Sequence, residues 1–134
     1  AGREDFPWIN VVGRARAAIG SGVSSSLSHA NPLDAAAIFE AARAGDAFAV
    51  NLIDRAGSAL GRACAMALQI LDLERIVIGG GLARSADLLI PRIMDAARAR
   101  TFGEIFDRAS FVAAELGHQA GAIGAAATAM HRAR

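Results

Sequence analysis

The stretch ERIVIGGGLARSADLL, Glu74 to Leu89, carries the chain's clearest chemical signal. Arg75 and three β-forming residues, Ile76, Val77 and Ile78, lead into Gly79, Gly80 and Gly81, and a helical pattern follows. Glycines lack a Cβ, so they adopt positive φ and let a ligand approach the backbone. A helix starting there offers free N–H groups and the positive end of its dipole, which suits a phosphate or nucleotide. The run matches neither G-x-G-x-x-G nor G-x-x-x-x-G-K-[ST]. On spacing alone it reads either as a ligand loop or as a tight turn between strand and helix.

Other candidates are weaker. His29 lies in a polar loop, His118 at the last strand-to-helix junction and His131 near the end; no two show metal-ligand spacing. His118 stands out, because ligands favour loops at the carboxyl ends of strands. Asp34 and Asp46 precede apolar helical runs and read as helix caps. Glu115 is placed on a strand, facing either a cleft or solvent. Ser21, Ser24, Ser25 and Ser26 sit in a loop, and no G-x-S-x-G elbow occurs. Cys64 is the only cysteine. It falls among apolar helical residues and reads as inert packing. No catalytic base emerges from the residues.

The elements that must position the glycine corner follow from periodicity. A first helix is predicted over Pro7–Ile19, a loop over GSGVSSSLSHANPL, and a second helix over Ala35–Ala44, ended by Gly45. The third and longest, Ala47–Leu71, carries an apolar stripe of Leu52, Ala56, Leu60, Ala63, Ala67 and Leu71. Gly57 and Gly61, one turn apart, predict the close approach of another helix. Arg75–Ile78 reads as a buried strand, and Ser85 as the cap of a helix reaching about Arg100. RTFGEIFDRA reads as a turn with a short helical piece. Ser110–Leu116 reads as a second strand, and a closing helix begins near Gln119. Two strands separated by a helix predict a parallel pair. Two strands make a poor sheet alone, so others either hide in the first third or lie outside the chain.

Composition narrows the function classes. The chain has 134 residues, 54% hydrophobic, with net charge +1. That allows one domain with a core and gives no basic nucleic-acid footprint. All 14 basic residues are arginine, so no Walker-type, Schiff-base or general-base lysine exists. One cysteine permits neither an internal disulfide nor a cysteine zinc cluster, which fits a reducing compartment. No apolar run is long enough for a membrane span, and AGREDFPW lacks the layout of a signal peptide. Without an initiator methionine, the chain is expected to be processed or part of a longer protein.

Taken together, IFEAARAGDAFA, RAGSALGRACAMALQILDLERIVIGGGLARSADLLIPRI and AAELGHQAGAIGAAATA resemble the ROK family of repressors, open reading frames and sugar kinases. The resemblance runs from about Ser24 to Met130. It implies an actin-like ATPase (ribonuclease H-like) α/β fold, helix-rich with a small sheet. Residues 1–134 would then be a single domain, the C-terminal lobe. That family's N-terminal lobe carries a D-x-G-[GS]-T phosphate loop and the catalytic aspartate, and neither occurs here. Its cysteine-rich zinc motif, with the sugar-binding Glu-x-x-His nearby, belongs just before the first helix, where this chain has AGREDFPWIN and no cysteine, so no zinc is expected in this chain.

By resemblance, Gly79, Gly80 and Gly81 lie against the adenosine of ATP, with Leu82 as an apolar neighbour of the base. The parent would be a cytoplasmic, ATP- and magnesium-dependent hexose kinase, and GVSSSL leans that way. The alternatives are a sugar-responsive regulator, which would meet DNA through a domain outside this chain, and a non-catalytic partner-binding domain. Homo-oligomers are also implied. Without the other lobe, Ala122, Ile123, Ala126 and Met130 of the last helix are expected either to fold back or to form a dimer contact.

Overall fold

Three helices come first, and the longest organises everything after them. The computed structural model describes residues 10–116 and 119–132, so the predicted start of the first helix and the junction residue His118 lie outside the described residues. Helix α1 spans Val11–Gly20. Its N-cap is Asn10, whose side chain accepts from the Gly13 N–H at 2.7 Å. A 3-10 turn, Ser26–His29, leads to α2, Ala35–Arg43, and α3, Ala47–Leu71. The predicted caps are in place: Asp34 accepts from Ala37 N–H and Asp46 from Ala49 N–H. Gly45, at φ +88°, makes the left-handed turn that ends α2.

Strand β1, Arg75–Ile78, is followed by a 3-10 turn, Gly80–Ser85, that runs directly into α4, Ala86–Arg98. The short α5, Gly103–Arg108, precedes β2, Ser110–Ala113. Helix α6, Ala120–Arg132, closes the described chain. The strands pair in parallel, Arg75 opposite Ser110 through Ile78 opposite Ala113. Among the described residues the sheet has these two strands and no hidden third.

The core lies between α3 and its neighbours. Leu52 and Ile53 of α3 meet Ile38 and Phe39 of α2 and Leu89 and Ile93 of α4. A second cluster joins Ala65 and Leu68 of α3 to Ala97 and Phe106, with Ile76 and Phe111 of the sheet packed against it. Gly57 and Gly61 provide the predicted close approach. A Cβ on Gly57 would stand 2.6 Å from Arg92 Cβ, and one on Gly61 would stand 2.5 Å from the Ile93 carbonyl oxygen.

Several expectations are corrected. The predicted stripe on α3 is only partly the buried face: Ala63 is exposed and Leu71 is 63% exposed. Helix α3 is covered by α2 on one side and α4 on another, so burial follows two faces. At ~1.5 Å per residue its 25 residues also outrun their cover. Strand β1 is half-buried rather than buried. Val77 is 56% exposed, because helices cover only one face of the sheet among the described residues. Strand β2 ends at Ala113, and Glu115 lies in the exposed turn beyond it. Of the two outcomes expected for α6, folding back is not the one observed: its side chains from Gly121 to His131 are exposed, which leaves the dimer contact as the open alternative. Being mostly Ala and Gly, it offers little apolar area to bury against its own lobe.

Candidate functional site at the glycine corner

The carboxyl ends of β1 and β2 lie side by side and set the corner's position. Ala114 N–H donates to the Ile78 carbonyl at 2.9 Å, carrying the ladder one step past the strands. Gly79 follows at once, and a Cβ there would meet only Ala114 Cβ, at 3.7 Å. Gly80 takes φ +68°, the left-handed region that disfavours L side chains, and nothing lies within 4 Å of where its Cβ would be.

Because the turn Gly80–Ser85 continues without a break into α4, the helical run effectively starts at the glycines. The unpaired N–H groups of a helix start therefore belong to the corner itself. Ser85, predicted to cap α4, makes no side-chain cap bond. It is buried behind the preceding turn, which has taken over the start of the helix. Asp87 supplies a carboxylate in the first turn of α4. The Arg43 guanidinium, bonded to it at 2.9 Å, holds that carboxyl below its usual range.

The structure thus gathers Gly79, Gly80 and Leu82 at one corner; Gly81 joins them by sequence within the same turn. Leu82 is half-buried against the core and lines a small apolar cavity of about 100 Å³ with Ile38, Phe39, Ile53 and Leu89. It anchors the corner from below while the glycine backbone stays open above. His29 and His131 are not brought to this place: one lies in the 3-10 turn before α2, the other on exposed α6. Cys64 is half-buried in α3, and burial pushes its thiol up, away from the reactive thiolate. Among the described residues, no three His, Cys, Asp or Glu side chains gather as a metal site.

One polar feature escaped sequence reasoning. A cleft between α1 and α3 is lined by Arg14, Arg55 and Arg62. The spacing of Arg55 and Arg62 on one helix is visible in the sequence; the arrival of Arg14 from another helix is not.

The chain matches the ROK family over residues 14–132. It belongs to the ROK family. Over 92 residues it is 40% identical to a glucokinase of Halalkalibacterium halodurans, covering 69% of this chain and 28% of that protein. It is 30% identical over 102 residues to the DNA-binding transcriptional repressor Mlc of Escherichia coli, covering 76% of this chain and 25% of the repressor. Among solved structures it is similar to a protein described as a sugar kinase from Cytophaga hutchinsonii. There the TM-score is 0.79 and the identity 25%, over 90% of this chain and 40% of that one. The chain spans about a quarter of the length of the curated relatives it matches. Its helix-rich ROK fold with a small parallel sheet is consistent with the actin-like ATPase fold. No helix among the described residues is long and apolar enough to cross a membrane.

The ROK corner also makes a modest stability prediction. Gly80→Ala is expected to cost about 1 kcal/mol through backbone conformation alone, because a methyl has room but φ does not suit it. Gly79→Ala should be close to neutral. Urea unfolding of both variants checks the contrast.

Proposed function

We propose that this chain is the C-terminal lobe of an ATP-dependent hexose kinase of the ROK family, and that Gly79, Gly80, Gly81 and Leu82 form the adenosine-side wall of its nucleotide site. The observation that carries the reading is the open glycine backbone at the carboxyl ends of two parallel strands, where α/β folds place ligands. The glucokinase and sugar-kinase relatives support it.

Exposed backbone at Gly79 and Gly80 fits a flat group lying against it, since a Cβ would only narrow the approach. ATP, when bound, supplies the phosphoryl group for transfer to a sugar hydroxyl. The chain's own part is to bind and orient the adenosine end. Leu82 fixes the corner to the core, and the exposed backbone of Gly79 and Gly80 is the surface the adenosine would lie against. The phosphate loop, the base for the hydroxyl and the magnesium ligands belong, in this reading, to a lobe outside the chain. A homo-oligomer formed through the exposed α6 is part of the same proposal.

Titration with ATP, followed through backbone amide shifts, is the direct test. Shifts confined to Gly79–Leu82 and their neighbours, abolished in Gly79→Val, are expected; no shift at these amides sinks the adenosine assignment. In a coupled assay the 134-residue chain should not phosphorylate glucose from ATP. Turnover above background would overturn the division of labour between lobes.

The similarity to Mlc supports a second reading, the effector and oligomerisation part of a sugar-responsive repressor. The coding sequence upstream of Ala1 separates the two. A D-x-G-[GS]-T loop favours the kinase. A helix-turn-helix domain followed by a degraded loop favours the repressor.

A further inference from the structure

The cleft between α1 and α3 holds about 480 Å³ and carries an excess of positive charge that nothing in the kinase reading uses. Arg14 reaches it from α1. Arg55, Ser58 and Arg62 reach it from one face of α3, at spacings of three and four residues. Asp54, its one acidic lining residue, is already engaged by Arg92 Nε. Among the described residues neither Arg14 nor Arg55 forms an ion pair. Arg62 donates to Ser58 Oγ at 3.2 Å. Arg14 is half-buried. A guanidinium partly withdrawn from water without a counter-charge is unfavourable, so the site is poised for an anion. A neighbouring depression of about 350 Å³, again lined by Arg14 and Arg55, extends the basic surface.

We propose that this cleft binds a phosphoryl group, with Arg14 and Arg55 as a two-sided clamp and Arg62 and Ser58 closing one end. Planar guanidinium forks match phosphate oxygens in pairs, and a concave wall of one sign concentrates the field on a small anion. Three cations facing one engaged carboxylate suit a dianion better than a single carboxylate. Free phosphate and the phosphate ester of a sugar share this chemistry. The cleft is independent of the nucleotide assignment, because none of its chemistry involves Gly79–Leu82.

The test is calorimetric titration of the 134-residue chain with inorganic phosphate and, separately, glucose 6-phosphate, at ionic strength matched with chloride. Saturable binding is expected. It should weaken at least about tenfold in Arg14→Gln/Arg55→Gln, the loss of charge-assisted bonds to the anion, and should be unchanged in Gly79→Val. Tighter binding of the ester identifies a sugar phosphate, and equal binding identifies free phosphate. Should the double variant not fold, Arg55→Gln/Arg62→Gln on exposed positions replaces it, with the same expected loss. Non-saturable heat, wild-type binding by the charge variants, or loss of binding in Gly79→Val overturns the proposal. Binding that appears only after Glu4→Gln/Asp5→Asn also overturns it, since the counter-ion would then be the chain's own N-terminal segment.

Discussion

Gly61→Val is expected to destabilise the fold by about 3 kcal/mol, at the upper end of ordinary overpacking costs. The first atom added already has no room. A Cβ on Gly61 would stand 2.5 Å from the Ile93 carbonyl oxygen, 2.6 Å from Ala96 Cβ and 3.1 Å from Ala97 N. Two of these three atoms are backbone, so no rotamer change relieves the clash and α4 must move away from α3. That movement would open the contact between Ile53 and Ile93, both fully buried. Valine's better helix propensity recovers only about half a kcal/mol. In urea the midpoint should fall with little change in slope. Gly20→Ala is the control: nothing lies within 4 Å of its Cβ position, and the change should be neutral or mildly stabilising. Wild-type stability in Gly61→Val would mean that α3 and α4 do not meet at this ridge.

Asp46→Ala is expected to cost about 2 kcal/mol, because one carboxylate does two jobs. Its Oδ1 accepts from Ala49 N–H at 2.9 Å and caps α3. Its Oδ2 accepts from Ser25 Oγ at 2.9 Å, Ser26 N–H at 2.7 Å and Ser26 Oγ at 2.8 Å, pinning the serine loop to the helix start. Burial opposes ionisation of this carboxyl. The bonds from Ala49, Ser26 and Ser25 outweigh that effect and hold it well below the usual carboxylate range. The sign of the pH dependence follows. A carboxyl whose folded pKa is depressed stabilises fully above its unfolded value, about 4, and loses that stabilisation as pH falls towards the folded value. The stability gap between wild type and Asp46→Asn should therefore be widest at neutral pH and narrow below about pH 4. A gap independent of pH would show that the charge on Asp46 is not what holds the loop.

Asp46 also shows where reading from sequence stops. Its place before an apolar run is enough to predict the cap on Ala49, because capping is local. The bonds to Ser25 and Ser26 join residues about twenty positions apart, and only the folded loop brings them together. The glycines divide in the same way. That Gly57 and Gly61 admit a close neighbour is legible from their spacing on α3. That the neighbour is α4, meeting Gly57 through Arg92 Cβ and Gly61 through the Ile93 carbonyl and Ala96 Cβ, depends on how the two helices cross.

Local physics thus determined much from the sequence alone: the span of α3, the strand Arg75–Ile78, the glycine corner after it, the caps on α2 and α3, and the parallel pairing implied by an intervening helix. Each depends on neighbours within a turn or two of chain, or on a connection too long for a hairpin. The tertiary structure decided which faces are covered. Val77 and Leu71 are apolar, yet both are largely exposed, because burial depends on what stands opposite and periodicity does not contain that information. It also decided that Ser85 leaves its predicted cap unmade, once the 3-10 turn carried the helix start back to the glycines. And it set Arg14 beside Arg55, since charge in a cleft is a property of two helices meeting rather than of either one.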